Sequence, residues 1–379
     1  SKVYMTDLRC RPGVSLLNKL EKLMRTAGIG EINFERKLVA IKMHFGEPGN
    51  LAFLRPNYAK VVADVVKSLG GVPFLTDCNT RYPGRRKNAL EHLDAAYENG
   101  FSPLSTGCQV IIGDGLRGND DVEVPVEGAE YIQTAKIGKD IMEADVIISL
   151  SHFKGHEQTG SGGDLKNLGM GRGSRRGKLD QHAQRQPPVA ARRCVGCRRC
   201  ATQCAHGAIT FGEDRTASID WDKCVGCGRC IAVCNTDAIR PGNDAAMEEL
   251  GCRMAEYAKA VVDGRPQFHI SLVIDVSPYC DCHAENDVPI VPDVGMFASF
   301  DPVALDMACA DAVNAQTPLK GSVLDEVEHC HHDHFTDVHP TTNWKSCLEH
   351  AEKLGIGTTD YELITLYGNQ VPEPDPDTG

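Results

Sequence analysis

Short runs of apolar, mostly β-branched residues alternate along the chain with longer segments in which apolar residues recur every three or four positions. The short runs are typical of strands, and the longer segments are typical of helices that bury one face. The predicted strands are 38–45, 72–77, 109–114, 145–152 and 269–276. The predicted helices are 57–69, 86–100, 245–262 and 302–313. This alternation predicts an α/β fold with a mostly parallel sheet and flanking helices.

A short segment near the middle of the chain, dense in Cys and poor in long apolar runs, interrupts this pattern. The stretches QRQPPVAARR before it and RPGND after it have the composition of linkers. Because the part of the chain after it has few predicted strands, that part would form only a thin core alone. We therefore expect 1–188 and 243–370 to build one α/β domain, 189–242 to form an inserted ferredoxin-like α+β module, and 371–379 to be a disordered tail.

The inserted segment contains CVGCRRCATQC at 194–204 and CVGCGRCIAVC at 224–234, two copies of C-x2-C-x2-C-x3-C. In bacterial ferredoxins with this spacing, the first three Cys bind one 4Fe-4S cluster and the fourth binds the other. The predicted ligands of the first cluster are Cys194, Cys197, Cys200 and Cys234. The predicted ligands of the second cluster are Cys224, Cys227, Cys230 and Cys204. Zinc is the alternative, but zinc sites usually pair two C-x2-C knuckles rather than two matching quartets.

The overall composition limits the class of protein. The 17 Cys are an odd number, and eight of them have ferredoxin spacing, which argues against a secreted disulfide scaffold. No apolar run approaches the roughly 20 residues that span a bilayer, and the first residues lack the apolar core of a signal peptide. We expect a cytoplasmic protein of a reducing environment with no membrane partner.

The net charge of −12 does not favour nucleic acid as a partner. One stretch, 172–199, departs from this charge because it contains nine Arg or Lys and the single acid Asp180. It is either a solvated linker face or a surface for an anionic substrate or an acidic redox partner. RNA is disfavoured because no aromatic residues are interleaved for stacking on bases.

Polar side chains follow the predicted strands, and open α/β sheets bind ligands beyond the carboxyl ends of their strands. Capping and turn formation would explain Asp and Asn at these positions, but they do not easily explain several His and Lys. The densest segment is the Gly-rich stretch 151–183, whose backbone N–H groups and Lys side chains suit an anion. A His-rich metal site is the alternative there. The predicted catalytic or ligand-binding residues are His44, His152, Lys154, His156 and Lys166.

Two further groups are candidate metal sites. Cys280 and Cys282 follow the predicted strand 269–276, and residues two apart in an extended chain point to the same side. Their thiols suit a third centre, either a soft metal or an additional iron–sulfur cluster. The alternatives are buried free Cys that pack as small apolar side chains, or a redox-active thiol pair. The stretch EHCHHDH at 328–334 is interpreted as a solvated polar loop that could bind metal adventitiously.

Seven ordered stretches resemble the iron–sulfur proteins catalogued as domain of unknown function 362. These stretches are IKMHFGEPGN, PFLTDCNTRY, DGLRG, SHFKGHEQTGSGGDLKNLGMG, CDC, IVPDVG and DPVALD. The resemblance runs from about residue 36 to residue 367 and implies a two-cluster protein of anaerobes. It implies no single reaction. Arg172 departs from the pattern, because relatives often carry Cys at this position.

Three functions are compatible with these features. The first is an iron–sulfur oxidoreductase, in which the two clusters exchange electrons with a redox partner protein and pass them to a ligand or metal at the strand ends. The second is an electron carrier or an iron–sulfur assembly protein without its own catalysis. The third is non-redox chemistry by Lys and His, with clusters that are only structural. A bound nicotinamide is not expected, since no G-x-G-x-x-G follows a predicted strand.

Overall fold

The chain is described from a computed structural model. The residues that it describes are 1–80, 84–182, 188–204, 206–221, 223–224, 230, 234, 236, 238–239, 245–327 and 332–366. The described strands β1 to β14 are, in order, Lys2–Thr6, Leu38–Lys42, Val72–Asp77, Gln109–Ile112, Asp121–Pro125, Thr134–Gly138, Val146–His152, Lys154–His156, Gly160–Gly162, Ile209–Phe211, Ala217–Ile219, Gln267–Val273, Gly295–Ser299 and Glu362–Thr365.

The described α-helices carry the labels α1 to α13. They are, in order, Leu16–Thr26, Pro56–Ser68, Ala89–Glu98, Pro103–Thr106, Lys139–Glu143, Asp164–Arg172, Arg175–Gln181, Arg199–Gln203, Ala245–Val262, Pro302–Asn314, Val323–Glu326, His334–Val338 and Lys345–Lys353. No helix in this described part of the chain combines the length and the apolar character needed to cross a membrane.

Eight strands form one sheet in the spatial order β14-β1-β13-β12-β7-β2-β3-β4. Ile41 of β2 lies beside Ile148 of β7 on one side and beside Leu75 of β3 on the other, both in parallel register. Within this described sheet, β13 is the strand that runs antiparallel to its two neighbours. The prediction of a mostly parallel sheet with flanking helices is therefore confirmed.

Alternate residues of the central strands enter two different apolar cores. On β7, Ile147 belongs to one core, whereas Val146 and Ile148 belong to the other. Since successive side chains of a strand point to opposite faces, the two cores lie on opposite faces of the sheet. Helices α1 and α2 cover one face, and α6, α9, α10 and α13 cover the other. The molecule thus has three layers, as expected when both faces of a parallel sheet are apolar.

The sheet and its cores contain residues from both sides of the Cys-dense segment. Strands β12, β13 and β14 follow that segment and lie in the same sheet as β2 and β7, which precede it. Helix α9, after the segment, packs against α6, before it. Their approach is so close that a Cβ on Gly169 would lie 2.1 Å from the backbone oxygen of Met254. The domain limits 188 and 243 stay predictions.

The Glu256 carboxylate of α9 is fully buried and joins three parts of the chain. It accepts hydrogen bonds from the backbone N–H groups of Glu130 and Ile132, each at 2.7 Å. It also lies 3.0 Å from Nε2 of His350 on α13. A buried carboxylate with several donors is stabilised in its ionised form. This side chain therefore anchors the loop before β6 to the two C-terminal helices.

The Cys-dense segment has a small apolar core of its own. The hairpin β10–β11 pairs Ile209 with Ile219, and Ile219 packs with Cys200 and Cys230. The chain enters and leaves this segment side by side, because the N–H of Ala190 donates to the carbonyl of Ala238 at 2.7 Å. The predicted ligand Cys227 and the predicted tail 371–379 lie outside the described residues.

Candidate functional site

A cavity of about 90 Å³ lies at the carboxyl ends of the central strands, beside the start of α6. Its wall contains every residue that the sequence singled out as catalytic or as a third metal centre. These residues are His44, His152, Lys154, His156, Lys166, Cys280 and Cys282. The structure therefore brings the predicted strand-end residues together around one space.

The strand order explains why these residues converge. Strands β2 and β7 are parallel neighbours, so His44 just after β2 and His152 at the end of β7 reach the same edge. The hairpin β8–β9 then folds back and presents Lys154 and His156. Gly155 permits this fold, since a Cβ there would lie 2.6 Å from the carbonyl oxygen of Pro278. The same loop after β12 carries Cys280.

The cavity wall contains more basic than acidic side chains. Among the described lining residues, Asp77 is the one carboxylate. The cationic side chains of the wall are Lys42, Arg86, Lys154, Lys166 and Lys178. Positive charge enclosed by low-dielectric walls attracts anions. The wall is therefore suited to a small anion.

Lys42 is buried at the floor of the cavity. Its ammonium lies 3.2 Å from Oδ1 of Asp77 and donates to Oδ1 of Asn167 at 2.9 Å. Burial lowers the pKa of Lys42 to about 8, in opposition to the attraction of Asp77. The charge of this Lys is thus poised to change in mildly alkaline solution.

Arg86 is only 1% exposed. Its Nε donates to Oε2 of Glu47 at 2.8 Å, and its Nη1 lies 2.9 Å from Nε2 of His44. Nη2 has no hydrogen-bond partner among the described residues. Burial, together with the guanidinium, holds the pKa of His44 well below its usual value. Because an unpaired buried donor is costly, Nη2 is a natural hydrogen-bond donor to an anion.

His152 is fixed by acceptors on both ring nitrogens. Nδ1 lies 3.0 Å from the carboxylate of Asp281, and Nε2 lies 2.7 Å from the carbonyl oxygen of Ile274. Asp281 also lies 3.4 Å from Nζ of Lys154. Although burial opposes its ionisation, His152 and Lys154 hold the pKa of Asp281 below its usual range. Both nitrogens of His152 thus have protein partners that fix the ring beside Asp281, and a direct role of this residue in ligand binding stays a prediction.

Cys280 forms an ion pair with Lys166, whose ammonium donates to its sulfur at 3.0 Å. A hydrogen bond from Cys282, followed by the charge of Lys166, holds the pKa of Cys280 well below its usual value. Burial alone would lower the pKa of Lys166, but the charge of Cys280 outweighs it and raises that pKa. Both shifts favour the charged forms of the two groups, whose charges would compensate each other.

Cys282, a predicted metal ligand, lies beside two further possible ligands that the sequence did not indicate, Glu157 and His283. Its sulfur, a carboxylate oxygen of Glu157 and a ring nitrogen of His283 all lie within 4.8 Å of one another. The proposed centre with both Cys280 and Cys282 as ligands stays a prediction. In the His-rich stretch, 328–331 lie outside the described residues, and His334 begins α12.

The described cysteines of the two quartets form no disulfide bond. Two of their sulfurs accept backbone N–H groups, Cys194 from Ala217 at 3.4 Å and Cys204 from Ala208 at 3.3 Å. Hydrogen bonds of this type stabilise thiolates that hold iron–sulfur clusters, and they tune cluster potentials. The residues present thus fit the clusters that the spacing predicts.

Comparison with known proteins identifies the family. Residues 39–311 match the family described as Domain of unknown function (DUF362). The chain belongs to this family. It is also 28% identical over 159 residues to a thylakoid-associated protein of Synechocystis sp., a match covering 41% of this chain and 45% of that protein. The matched range, 39–311, contains the cavity residues and the described part of the Cys-dense segment.

Two solved structures are weakly similar to this DUF362 chain. The lactate racemase apoprotein from Thermoanaerobacterium thermosaccharolyticum is 12% identical, with a TM-score of 0.34 over 72% of this chain and 51% of that chain. A protein from Thermotoga maritima is 11% identical, with a TM-score of 0.33 over 68% of this chain and 49% of that chain. No conclusion about function follows from likenesses of this degree. The chain spans about half the length of these proteins.

Several residues of the site were missed in the sequence. Lys42 stands alone in an apolar strand, and a lone charge in such a run could have indicated a buried group with a specific partner. Arg86 lies in the run RRK, which resembles an exposed helix start. Glu157 and His283 are 126 positions apart. No local pattern connects them, so only the fold reveals their contact.

Proposed function

We propose that this DUF362 protein is an iron–sulfur oxidoreductase. In this proposal the eight Cys of the two quartets hold two 4Fe-4S clusters, which receive electrons from a redox partner protein and pass them to a small anionic ligand in the cavity. Two such clusters together can supply two electrons, the number required to reduce most closed-shell small molecules. The reducing interior of a cytoplasm suits this chemistry.

The observation that carries the proposal is the position of the Cys-dense segment along the chain. His182, just before that segment, and Leu250, just after it, both line the cavity. A covalent insertion between two parts of the wall keeps any bound cluster at a limited distance from the cavity ligand. A separate ferredoxin would have to bind anew for each electron.

The cationic wall supports an anion as the ligand. Lys154 and Arg86 are almost fully buried, and each is paired with a carboxylate, that of Asp281 or Glu47. Nη2 of Arg86, which has no partner in the part of the chain that the structure describes, offers a hydrogen bond that a carboxylate or another oxyanion would accept. The cavity of about 90 Å³ limits this ligand to a few non-hydrogen atoms, since a cavity of roughly 150 Å³ accommodates benzene.

The test is the iron content of anaerobically purified protein. The parent is expected to contain about eight iron atoms per chain. Cys200→Ala, which removes a predicted ligand, should lose about half of them, whereas Cys252→Ala should keep them all. Cys252 is a suitable control because it is a partly buried Cys outside both quartets. Zinc in place of iron, or equal iron in the two variants, would refute the proposal.

A further inference from the structure

The geometry points to a metal site beyond the two proposed clusters. We propose that Glu157, Cys282 and His283 bind one Zn²⁺-type divalent cation, and that the fourth coordination position of this ion is open to a small anion in the cavity. The metal site is independent of the clusters, because it shares no residue with either quartet. Its anionic ligand is the ligand of the proposed function.

The three side chains have the spacing of a single-ion site. Their ligand atoms all lie within 4.8 Å of one another, and Nε2 of His283 lies 2.8 Å from Oε1 of Glu157. Ligands of tetrahedral zinc lie roughly 2.0–2.3 Å from the ion. Two such ligands are then roughly 3.5 Å apart. Small side-chain movements are therefore sufficient to surround an ion.

Glu157 has a buried oxygen that a cation would satisfy. Its Oε1 is paired with His283, but its Oε2 is buried and has no hydrogen-bond partner among the described residues. Leaving a carboxylate oxygen unpaired in a buried position costs free energy. A bound cation would remove this cost, so the unpaired oxygen is independent support for the site.

Two preformed loops hold the ligands in place. Nδ1 of His156 accepts hydrogen bonds from the backbone N–H groups of Gln158 and Thr159, which fixes the turn that carries Glu157. In the loop after β12, the side chain of Asn50 donates to the carbonyl oxygen of His283 at 3.0 Å. Because both loops are tied by other contacts, the metal would bind to a largely organised site.

The donor set selects the class of metal. One Cys sulfur, one imidazole and one carboxylate combine soft, borderline and hard ligands, and Zn²⁺ accepts all three. The ion would replace the proton that Cys282 donates to Cys280 and release it to solvent. The nearby ammonium of Lys166 is already paired with Cys280 at 3.0 Å, so it does not oppose the cation strongly. Three protein ligands with an open fourth position are typical of catalytic rather than structural zinc.

The open position makes the anion a metal ligand. Cys282 is part of the cavity wall, so an anion in the cavity can reach an ion bound to this sulfur. An oxygen of a small carboxylate or oxyanion would occupy the fourth position, while the cationic wall holds its remaining oxygens. The metal would thus act as a Lewis acid that polarises the ligand.

Co²⁺ is the probe for this site, because a thiolate bound to it gives a charge-transfer absorption. Anaerobic protein with its iron intact is treated with a mild chelator and titrated with Co²⁺. The parent and the controls Cys252→Ser and Glu285→Gln should bind about one equivalent with this absorption. Cys282→Ser should lose the absorption, and His283→Gln and Glu157→Gln should weaken Co²⁺ binding about tenfold or more.

Two outcomes would overturn the inference. One is a parent without the thiolate absorption, and the other is an absorption that persists in Cys282→Ser. Azide, a small anion, should change the visible Co²⁺ spectrum of the parent, and an unchanged spectrum would contradict the open position. Iron is measured in the same samples, so failure of the clusters and failure of this site are distinguished. His283→Gln also serves as a test variant that should fold normally, because the side chain that it replaces is 40% exposed.

Discussion

Replacing Glu256 by Gln should destabilise the α/β fold, because this one carboxylate connects both sides of the Cys-dense segment. The carboxylate accepts backbone N–H groups of 130–132 and contacts His350. The carbonyl oxygen of Gln can still accept some of these hydrogen bonds. Its NH₂ group, however, is itself a donor, so it cannot accept from the backbone N–H groups that it would contact.

The size of the effect follows from the hydrogen bonds that Gln cannot accept. A hydrogen bond to a charged group contributes about 1.5–3 kcal/mol. Gln would fail to form about two of these bonds, so the free energy of unfolding should fall by about 3–6 kcal/mol. Unfolding a domain of roughly 300 residues involves an entropy near 0.6 kcal/mol/K, which converts this destabilisation into a fall of about 5–10 °C in Tm.

The assay is thermal unfolding at pH 7, with Glu249→Gln as the matched control. Glu249 lies on the same helix and pairs with Arg253 four residues later, near the surface. Such pairs contribute under about 1 kcal/mol, so this control should change Tm by less than about 2 °C. Equal Tm values for the two variants would refute the reasoning that Glu256 anchors the shared core.

Acidification gives a second readout on Glu256. Burial opposes its ionisation, but His350 and the three backbone N–H groups lower its pKa. A carboxylate with a lowered folded pKa contributes its full stabilisation above the unfolded value of about 4.3 and loses it as pH falls through the folded value. The Tm difference between the parent and Glu256→Gln should therefore shrink below about pH 4. A constant difference would contradict this assignment.

Three other predictions concern the cavity and the packing of α6 against α9. Arg86→Lys should weaken sulfate binding, measured by calorimetry, about tenfold or more, whereas Arg85→Lys on the surface should leave it unchanged. Equal sulfate affinities of the two variants would show that Arg86 does not contact the anion. Sulfate affinity of the parent should fall above about pH 8 as Lys42 loses its proton, and Lys42→Gln should abolish this fall. Gly169→Ala should lower Tm by several degrees because its Cβ would strike backbone, whereas Gly30→Ala, which meets open space, should not; equal Tm values would contradict the close approach of the two helices.

The sequence predicted the centre of the fold better than its edges. Strand 72–77 and helix 245–262 have the predicted limits, because their apolar patterns are long and bounded by turn residues. Strands β13 and β14 were not predicted. Each has five residues or fewer and pairs with β1, which is far away in the sequence. Helix α1 could have been predicted, since Leu20, Leu23 and Met24 show its buried face.

For the candidate site, the sequence predicted its position at the strand ends but not the hydrogen-bond partners of its residues. His44, His152 and Lys154 were found because parallel strands bring their carboxyl ends to one edge. Whether a ring nitrogen is free depends on contacts from distant loops, so the fixed role of His152 beside Asp281 could not be predicted. The burial of Arg86 likewise depends on Glu47 and His44, which follow a different strand.

The central claim, that the two Cys quartets hold two clusters near the cavity, is tested most directly by EPR of the anaerobic protein after reduction. The account predicts about two unpaired spins per chain and a spectrum broadened by magnetic interaction between the two centres. Cys200→Ala should change this to the unbroadened spectrum of a single centre. A parent that shows one isolated centre, or no paramagnetic iron centre at all, would contradict the account.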